Sequence, residues 1–255
     1  MKIEKIKSTS GKATFIVRGI DFSFANALRR SVSEIPVLAV DTVEFYKNDS
    51  ALYDEFLAHR LGLVPLKAPK TFTLRSKCTC KGKGCLKCTA SFKLKAKGSK
   101  TVYTSELKGR GAEIALKEIP IVLLEKDQEL ELSAEAILET AKEHAKFSTG
   151  LTWFNALPEI TIKGCDACGK CIEICPKGVI KLKDKGITIN SLNCDMCEAC
   201  VDLCKDLKDA ISMKPSETDF LFNIESFGQL EPKKIFSESV KALDANLKTL
   251  TKAVK

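Results

Sequence analysis

Eight of the twelve cysteines of this 255-residue chain lie between Cys165 and Cys204, in a single pattern written twice. The first copy, C-D-A-C-G-K-C-I-E-I-C-P, supplies Cys165, Cys168, Cys171 and Cys175; the second, C-D-M-C-E-A-C-V-D-L-C-K, supplies Cys194, Cys197, Cys200 and Cys204. Three thiolates on one tight loop can cap three irons of a 4Fe-4S cubane, while the fourth is carried away on the turn that follows. Other uses of cysteine fit less well. A disulfide framework needs an oxidising compartment, yet residues 1–9 alternate lysine with isoleucine and have no apolar h-region of the kind that directs secretion. Zinc ions use C-x2-C pairs but have no need of the third C-x2-C step or of the Cys175-Pro176 dipeptide. The stretch from Gly164 to Cys171 nearly spells a phosphate-binding P-loop, but Cys171 stands where a serine or threonine hydroxyl would hold magnesium, so nucleotide binding is not expected there.

The doubled pattern resembles the two-cluster bacterial ferredoxin module, over about residues 159–215. That resemblance implies crossed pairing: Cys165, Cys168, Cys171 and Cys204 on one 4Fe-4S cluster, Cys194, Cys197, Cys200 and Cys175 on the second. Short apolar runs at 179–182 and 187–189 flank Asp184-Lys185-Gly186, a hairpin signal, and residues 159–163 and 210–214 read as the terminal strands of such a module. One departure is visible: Lys205, not proline, follows Cys204.

A second cysteine group, C-T-C-K-G-K-G-C-L-K-C, gives Cys78, Cys80, Cys85 and Cys88 between strand-like runs at 71–75 and 91–96. Four thiolates on a glycine-rich hairpin tip suit a closed tetrahedral zinc site, with two disulfides as the alternative. The formal charge of +8 looks like a nucleic-acid footprint. It counts every cysteine as neutral, however, and twelve metal-bound thiolates would bring the loaded chain to about +2. Lys77, Lys81, Lys83 and Lys87 interleave with the cysteines, as that compensation expects. No run of eighteen or more apolar residues is present, so no membrane span is expected. Outside the cysteine loops no compact acidic cluster could hold two magnesium ions, which points away from nucleotidyl transfer on this chain.

Residues 1–20 read as two strands around 8–12, with Ala13, Phe15 and Val17 alternating against Thr14, Ile16 and Arg18. A helix follows with Ser23 as its expected N-cap; Phe24, Ala27, Leu28, Val32 and Ile35 share one face before Pro36 stops it, and Arg29 and Arg30 lie off that stripe. Residues 40–46 alternate as a strand, and 51–61 read as a short helix with Leu52, Phe56 and Leu57 inward. His59 and His144 sit in no triad pattern and are expected to cap or pack. Residues 134–146 read as helix on propensity alone. Phe220, Phe222 and Ile224 alternate as a strand, and Pro232 opens a helix of about 23 residues, about 34 Å long. Along it Phe236, Val240, Leu243, Leu247, Leu250 and Val254 recur at steps of four and three, the seam spacing of helices packed on helices.

The run G-I-D-F-S-F-A-N-A-L-R-R-S-V-S-E-I-P, from Gly19 to Pro36, resembles the alpha motif of RNA polymerase assembly subunits, and the match extends through D-E-F-L-A-H-R-L-G-L-V-P-L, from Asp54 to Leu66. With the ferredoxin-like insertion, the whole chain is similar to the alpha-like assembly subunits of archaeal DNA-directed RNA polymerase, counterparts of the N-terminal half of bacterial alpha. The resemblance implies an α+β fold in three parts: a discontinuous alpha-type dimerisation domain at 1–39 and 219–255, an inserted mostly-β domain at 40–158 with the zinc-type loop, and the iron-sulfur domain at 159–218. In place of the helix over 134–146 it implies a strand and loop. It implies a non-catalytic assembly platform of multisubunit DNA-directed RNA polymerase, cytoplasmic and without direct DNA contact. Its partners would be the large catalytic subunits, other small subunits, and a small L-like subunit with which it pairs through Phe24, Leu28, Arg29, Arg30 and the C-terminal stripe. The competing expectation, an electron-transfer subunit of an iron-sulfur oxidoreductase, accounts for the ferredoxin-like stretch and for little else.

Overall fold

A computed structural model describes residues 1–183, 186–205 and 209–254. The fold is α+β. Strands β1 (Lys2–Ser8) and β2 (Lys12–Arg18) form the expected first hairpin. In β2 burial does not simply alternate: Phe15, Ile16 and Val17 are all buried, so both faces of the strand are covered there. Helix α1 (Phe22–Ser31) continues as a 3-10 turn over Val32–Glu34. Its cap is Asp21 and not Ser23, because the Asp21 carboxylate accepts the Phe24 N–H at 2.7 Å. Phe24 is exposed, and its expected inward place is taken by Ala25, which is fully buried.

The middle of the chain builds a sheet around β3 (Val37–Asn48). After it come α2 (Asp54–Gly62), β4 (Leu66–Lys67), β5 (Thr89–Lys97), β6 (Lys100–Tyr103), β7 (Lys108–Arg110), β8 (Glu113–Ile114), β9 (Pro120–Leu124) and β10 (Glu129–Glu139). The six-stranded order is β7-β5-β10-β3-β4-β8, with β6 and β9 paired separately. β5 turns Ala90, Phe92, Leu94 and Ala96 inward and Ser91, Lys93, Lys95 and Lys97 outward, the period-two pattern of a half-buried strand. These inward residues meet Leu130 and Leu132 of β10, Leu38 and Val40 of β3, and Leu57 and Leu61 of α2 in one core.

Three expectations are corrected here. The helix that propensity alone reads over 134–146 is strand β10 as far as Glu139 and a loop beyond it, as the resemblance implied, with β10 paired on both sides with β3 and β5. Two flanking strands with apolar faces outweigh alanine and glutamate propensities of a few tenths of a kcal/mol per residue. Residues 71–75 are not a strand, although the Thr73 N–H donates to the Lys87 carbonyl at 2.9 Å. In α2, Leu57 and Leu61 point inward but Phe56 is 59% exposed and stacks beside Tyr53.

The chain then enters β11 (Gly150–Ile162), passes α3 (Lys170–Ile174), β12 (Ile180–Lys183), β13 (Gly186–Ile189) and α4 (Ala199–Lys205), and returns along β14 (Ile211–Ser226) to α5 (Pro232–Ala253). β12 and β13 pair as the apolar runs predicted; the hairpin turn expected at Asp184 and Lys185 lies outside the described residues. The expected terminal strands of the cysteine-rich segment are ends of β11 and β14, which belong to a four-stranded sheet ordered β1-β2-β14-β11. The expected boundaries at 158/159 and 218/219 therefore fall inside continuous strands.

Two compact units are distinguishable, residues 1–7, 14–26 and 153–223 in one, and 8–13, 27–152 and 224–255 in the other. In the first, an aromatic cluster stacks Phe15 on Phe222 at 5.8 Å and sets Phe154 edge-on to Phe220 at 5.4 Å. In the second, Ile235 and Ser239 of α5 are buried, and Glu34 ties the 3-10 turn to α5 through the Asn246 amide and to Lys142 at 2.8 Å. Burial works against the Glu34 charge, but the bonds from Lys142 and Asn246 prevail and hold its carboxyl below the usual range.

Candidate metal centres and partner face

The two cysteine repeats fold alike. In each, the residue before the second cysteine takes the left-handed region, Ala167 at φ 57° and Met196 at φ 54°. So does the residue after it, Gly169 at φ 79° and Glu198 at φ 60°. These turns wrap the first three cysteines of each copy around one space, a feature that only Gly169 signals in the sequence.

Each loop leads into a short helix that carries a third and a fourth cysteine. α3 begins with Cys171 near its first residue and ends against Cys175; α4 carries Cys200 and Cys204 four apart. The two helices send their ends to different places. One cavity, about 180 Å³, is lined by Cys165, Cys168, Cys171 and Cys204 together with Ile187 and Ile211. The other is lined by Cys194, Cys197, Cys200 and Cys175 together with Val179 and Met213. Cys168 and Cys197 are exposed, whereas Cys171 and Cys200 are buried. Burial first, then the charges of Cys165, Cys168 and Cys204, push the Cys171 thiol up. Cys200 rises likewise, through burial and then chiefly the charge of Cys194. Four thiolates gathered around one space repel one another without a cation between them, and the donor set fits an iron-sulfur core at each cavity.

The sulfurs of Cys78, Cys80, Cys85 and Cys88 are closer, all within 4.8 Å of one another. Cys78 and Cys85 are 3.6 Å apart, as are Cys80 and Cys88. Sulfurs on a tetrahedron around zinc, at 2.3 Å from the metal, stand about 3.8 Å apart, so this loop fits a single tetrahedral ion. The backbone N–H of Cys80 pulls the Cys78 thiol down to about 6. At Cys85 the Lys87 N–H acts in the same direction, but the bond with Cys78 and burial outweigh it, and the thiol is pushed up to about 11. Lys81 at φ 53° and Gly82 and Gly84 in left-handed turns fold the tip over the sulfurs.

Of the residues expected to meet a partner, the C-terminal ones are open. Val240, Leu247, Leu250 and Val254 are 43%, 53%, 61% and 79% exposed, Phe236 and Leu243 are half-buried, and Phe24 and Arg30 are exposed. Leu28 is buried inside the chain itself and Arg29 is half-buried, so they present little to a partner. His144 caps as expected, its Nδ1 accepting the Lys146 N–H at 3.1 Å, while His59 is exposed. A latch that the sequence did not announce is Arg60, which donates to the carbonyls of Ile121 and Pro120 at 2.9 and 2.6 Å and pins α2 to β9.

The RNA polymerase Rpb3/RpoA insert domain family matches residues 40–153, and the 4Fe-4S dicluster domain family matches residues 164–217. The chain is 35% identical to the DNA-directed RNA polymerase subunit Rpo3 of Archaeoglobus fulgidus, over 99% of this chain and 97% of that one. It belongs to the Rpo3 family of DNA-directed RNA polymerase subunits. The Rpo3 subunits of Methanothermobacter thermautotrophicus and Methanosarcina acetivorans are 39% and 36% identical, each over 92% of this chain and over 92% and 91% of their own lengths. Likeness over the full length covers the alpha motif, the insert and the cysteine repeats together, so the polymerase-subunit expectation holds and the electron-transfer alternative is not favoured. The role of the Rpo3 family is non-catalytic. Iron-sulfur chemistry belongs to residues 164–217, and among the described residues no helix is long and apolar enough to cross a membrane.

Proposed function

We propose that this chain is the cytoplasmic assembly platform of an archaeal-type RNA polymerase, on which the large catalytic subunits gather, and that it pairs with a small L-like subunit. The observation that carries the pairing is α5: its first turns are buried through Ile235 and Ser239, while Leu247, Leu250 and Val254 beyond them stand in solvent on the predicted seam. An exposed apolar seam on a stable helix is the surface of a helix-packing partner. The near-neutral charge of the metal-loaded chain supports contact with protein rather than with DNA.

The metal centres are part of this reading. The cavities support two 4Fe-4S clusters with crossed ligands, Cys165, Cys168, Cys171 and Cys204 for one and Cys194, Cys197, Cys200 and Cys175 for the other. The 78–88 tip supports one structural zinc. Bound clusters supply one-electron chemistry in principle, but the assembly role asks of them only folding energy. The core around them consists of Val179, Ile180, Ile187, Val201 and Ile211 with the buried Cys171 and Cys200, and has no aromatic side chain among its buried members. So small an apolar core is marginal alone, and metal binding would complete it. The three-part division into dimerisation, insert and iron-sulfur domains is kept as part of the proposal, with β11 and β14 as shared strands. Anaerobic affinity purification of the tagged chain tests the function: polymerase subunits in near-stoichiometric yield are expected, and a dehydrogenase in their place would overturn it.

A further inference from the structure

The outer face of the six-stranded sheet carries its charges in register. Lys95 lies opposite Glu131 and bonds it at 2.6 Å, and Lys97 lies opposite Glu129 with an ion pair at 4.0 Å. The next rung breaks the pattern. Lys93 faces Ser133 on β10 and Lys108 on β7, and Arg110 faces Ser91. Two lysines directly opposite each other in an antiparallel pair repel. Among the described residues Lys93, Lys108 and Arg110 have no ion pair, and Glu135, diagonal to Lys93 on β10, has none either. β7 is the edge strand, and all three of its residues are exposed.

Lysine at a sheet edge guards against edge-to-edge aggregation, and one such charge would suffice for that. It does not require a second lysine across the rung or an arginine two residues on. From this ladder we propose that the β7 edge binds an extended acidic segment of another polypeptide, with Asp or Glu at alternate positions, laid alongside β7 as a further strand. Lys108 and Arg110 share a face and stand about 7 Å apart along the strand, the repeat of alternate side chains on an added strand about 4.8 Å away. Carboxylates there would answer both cations and relieve the Lys93–Lys108 repulsion. Gly109 lies between them with its α-carbon against the Phe92 ring, where a Cβ would come within 2.2 Å of the ring, so the edge is held flat against the sheet at that point. A protein strand is favoured over nucleic acid because the cations are spaced by the strand repeat and adjoin an open backbone edge.

The inference rests on the chain being an assembly subunit, and its test is separate from co-purification. The full chain, supplied anaerobically with iron, sulfide and zinc, is titrated by fluorescence anisotropy with a short peptide carrying glutamate at alternate positions. A peptide of the same composition with contiguous glutamates and a single-stranded oligonucleotide serve as the other probes. The alternating peptide is expected to bind best and to lose roughly tenfold in affinity with Lys108→Glu and Arg110→Glu together. Lys93→Glu is expected to weaken the peptide too while raising the thermal midpoint, since it turns a cross-strand repulsion into an attraction; a merely protective edge would gain stability with no binding to lose. Absence of peptide binding, equal binding of the contiguous peptide, tighter binding of the oligonucleotide, or indifference to the substitutions would each overturn the proposal. None of these results bears on whether polymerase subunits co-purify.

Discussion

The Cys80 and Cys88 sulfurs stand 3.6 Å apart, with Cys78 and Cys85 at the same separation beside them. A disulfide needs about 2.05 Å, whereas the edge of a zinc-thiolate tetrahedron is about 3.8 Å, so the spacing fits an ion and not a disulfide. Protein prepared under reducing conditions should hold about one zinc per chain. With its folded pKa lowered to about 6 from 9.0, Cys78 is thiolate at pH 7.5, whereas Cys85, raised to about 11, is not. Zinc uptake at pH 7.5 should therefore release fewer protons than the four that four thiols would give, because Cys78 has none to lose, measured by calorimetry in buffers of different ionisation enthalpy. The sign follows for stability as well: in the metal-free chain the depressed Cys78 pKa contributes above pH 9 and is lost as pH falls toward 6.

Crossed ligation, as proposed, would make α3 and α4 exchange the ends of their cysteine pairs. Replacing Cys204 by Ser should remove the signal of the cluster built mainly from earlier cysteines, and Cys175→Ser that of the other. Anaerobic iron analysis should read about eight irons per chain in the parent and about four in each variant. If Cys175→Ser left Cys194, Cys197 and Cys200 with an intact cluster by electron paramagnetic resonance, the helices would not exchange ligands.

The repeats also differ at one backbone position. Gly169 and Glu198 occupy the same left-handed turn, at φ 79° and 60°, and only glycine takes it without steric cost. Glu198→Gly should raise the temperature of iron release by stabilising the second loop by about 1 kcal/mol, and Gly169→Ala should destabilise the first by a similar amount. Opposite shifts of the two clusters, followed by visible absorbance on heating, are the expected result.

What the sequence disclosed and what it hid divide along physical lines. Ligand spacing is covalent and local, so the cysteines of 165–204 and 78–88 could be named before any fold was known. Strand pairing is not local: Ala134 and Ala136 sit on a helix-prone segment, and only β3 and β5 on either side make it a strand. Phe56 lies outside the core because α2 turns Leu57 and Leu61 inward, and a side chain one residue away on a helix points about 100° from them. Ser23 and Asp21 are both good caps; the bond from the Phe24 N–H decides between them. The uncompensated rung at Lys93 was invisible because its meaning depends on register with Lys108 and Ser133.

The partner face offers the most direct test. Leu247 and Leu250 are exposed, so aspartate at both should leave the fold intact, in contrast to Leu243, which is half-buried. Asn246 already anchors that part of α5 to Glu34, so the helix should keep its place in the variant. In an interface, two buried unpaired carboxylates would cost several kcal/mol, enough to abolish pairing at micromolar concentration. Leu247→Asp with Leu250→Asp should therefore give a chain with parental helicity, iron and zinc that elutes alone on gel filtration after co-expression with the small subunit. Co-elution at parental yield would mean that the seam is not where the partner sits, and the exposed half of α5 would need another occupant.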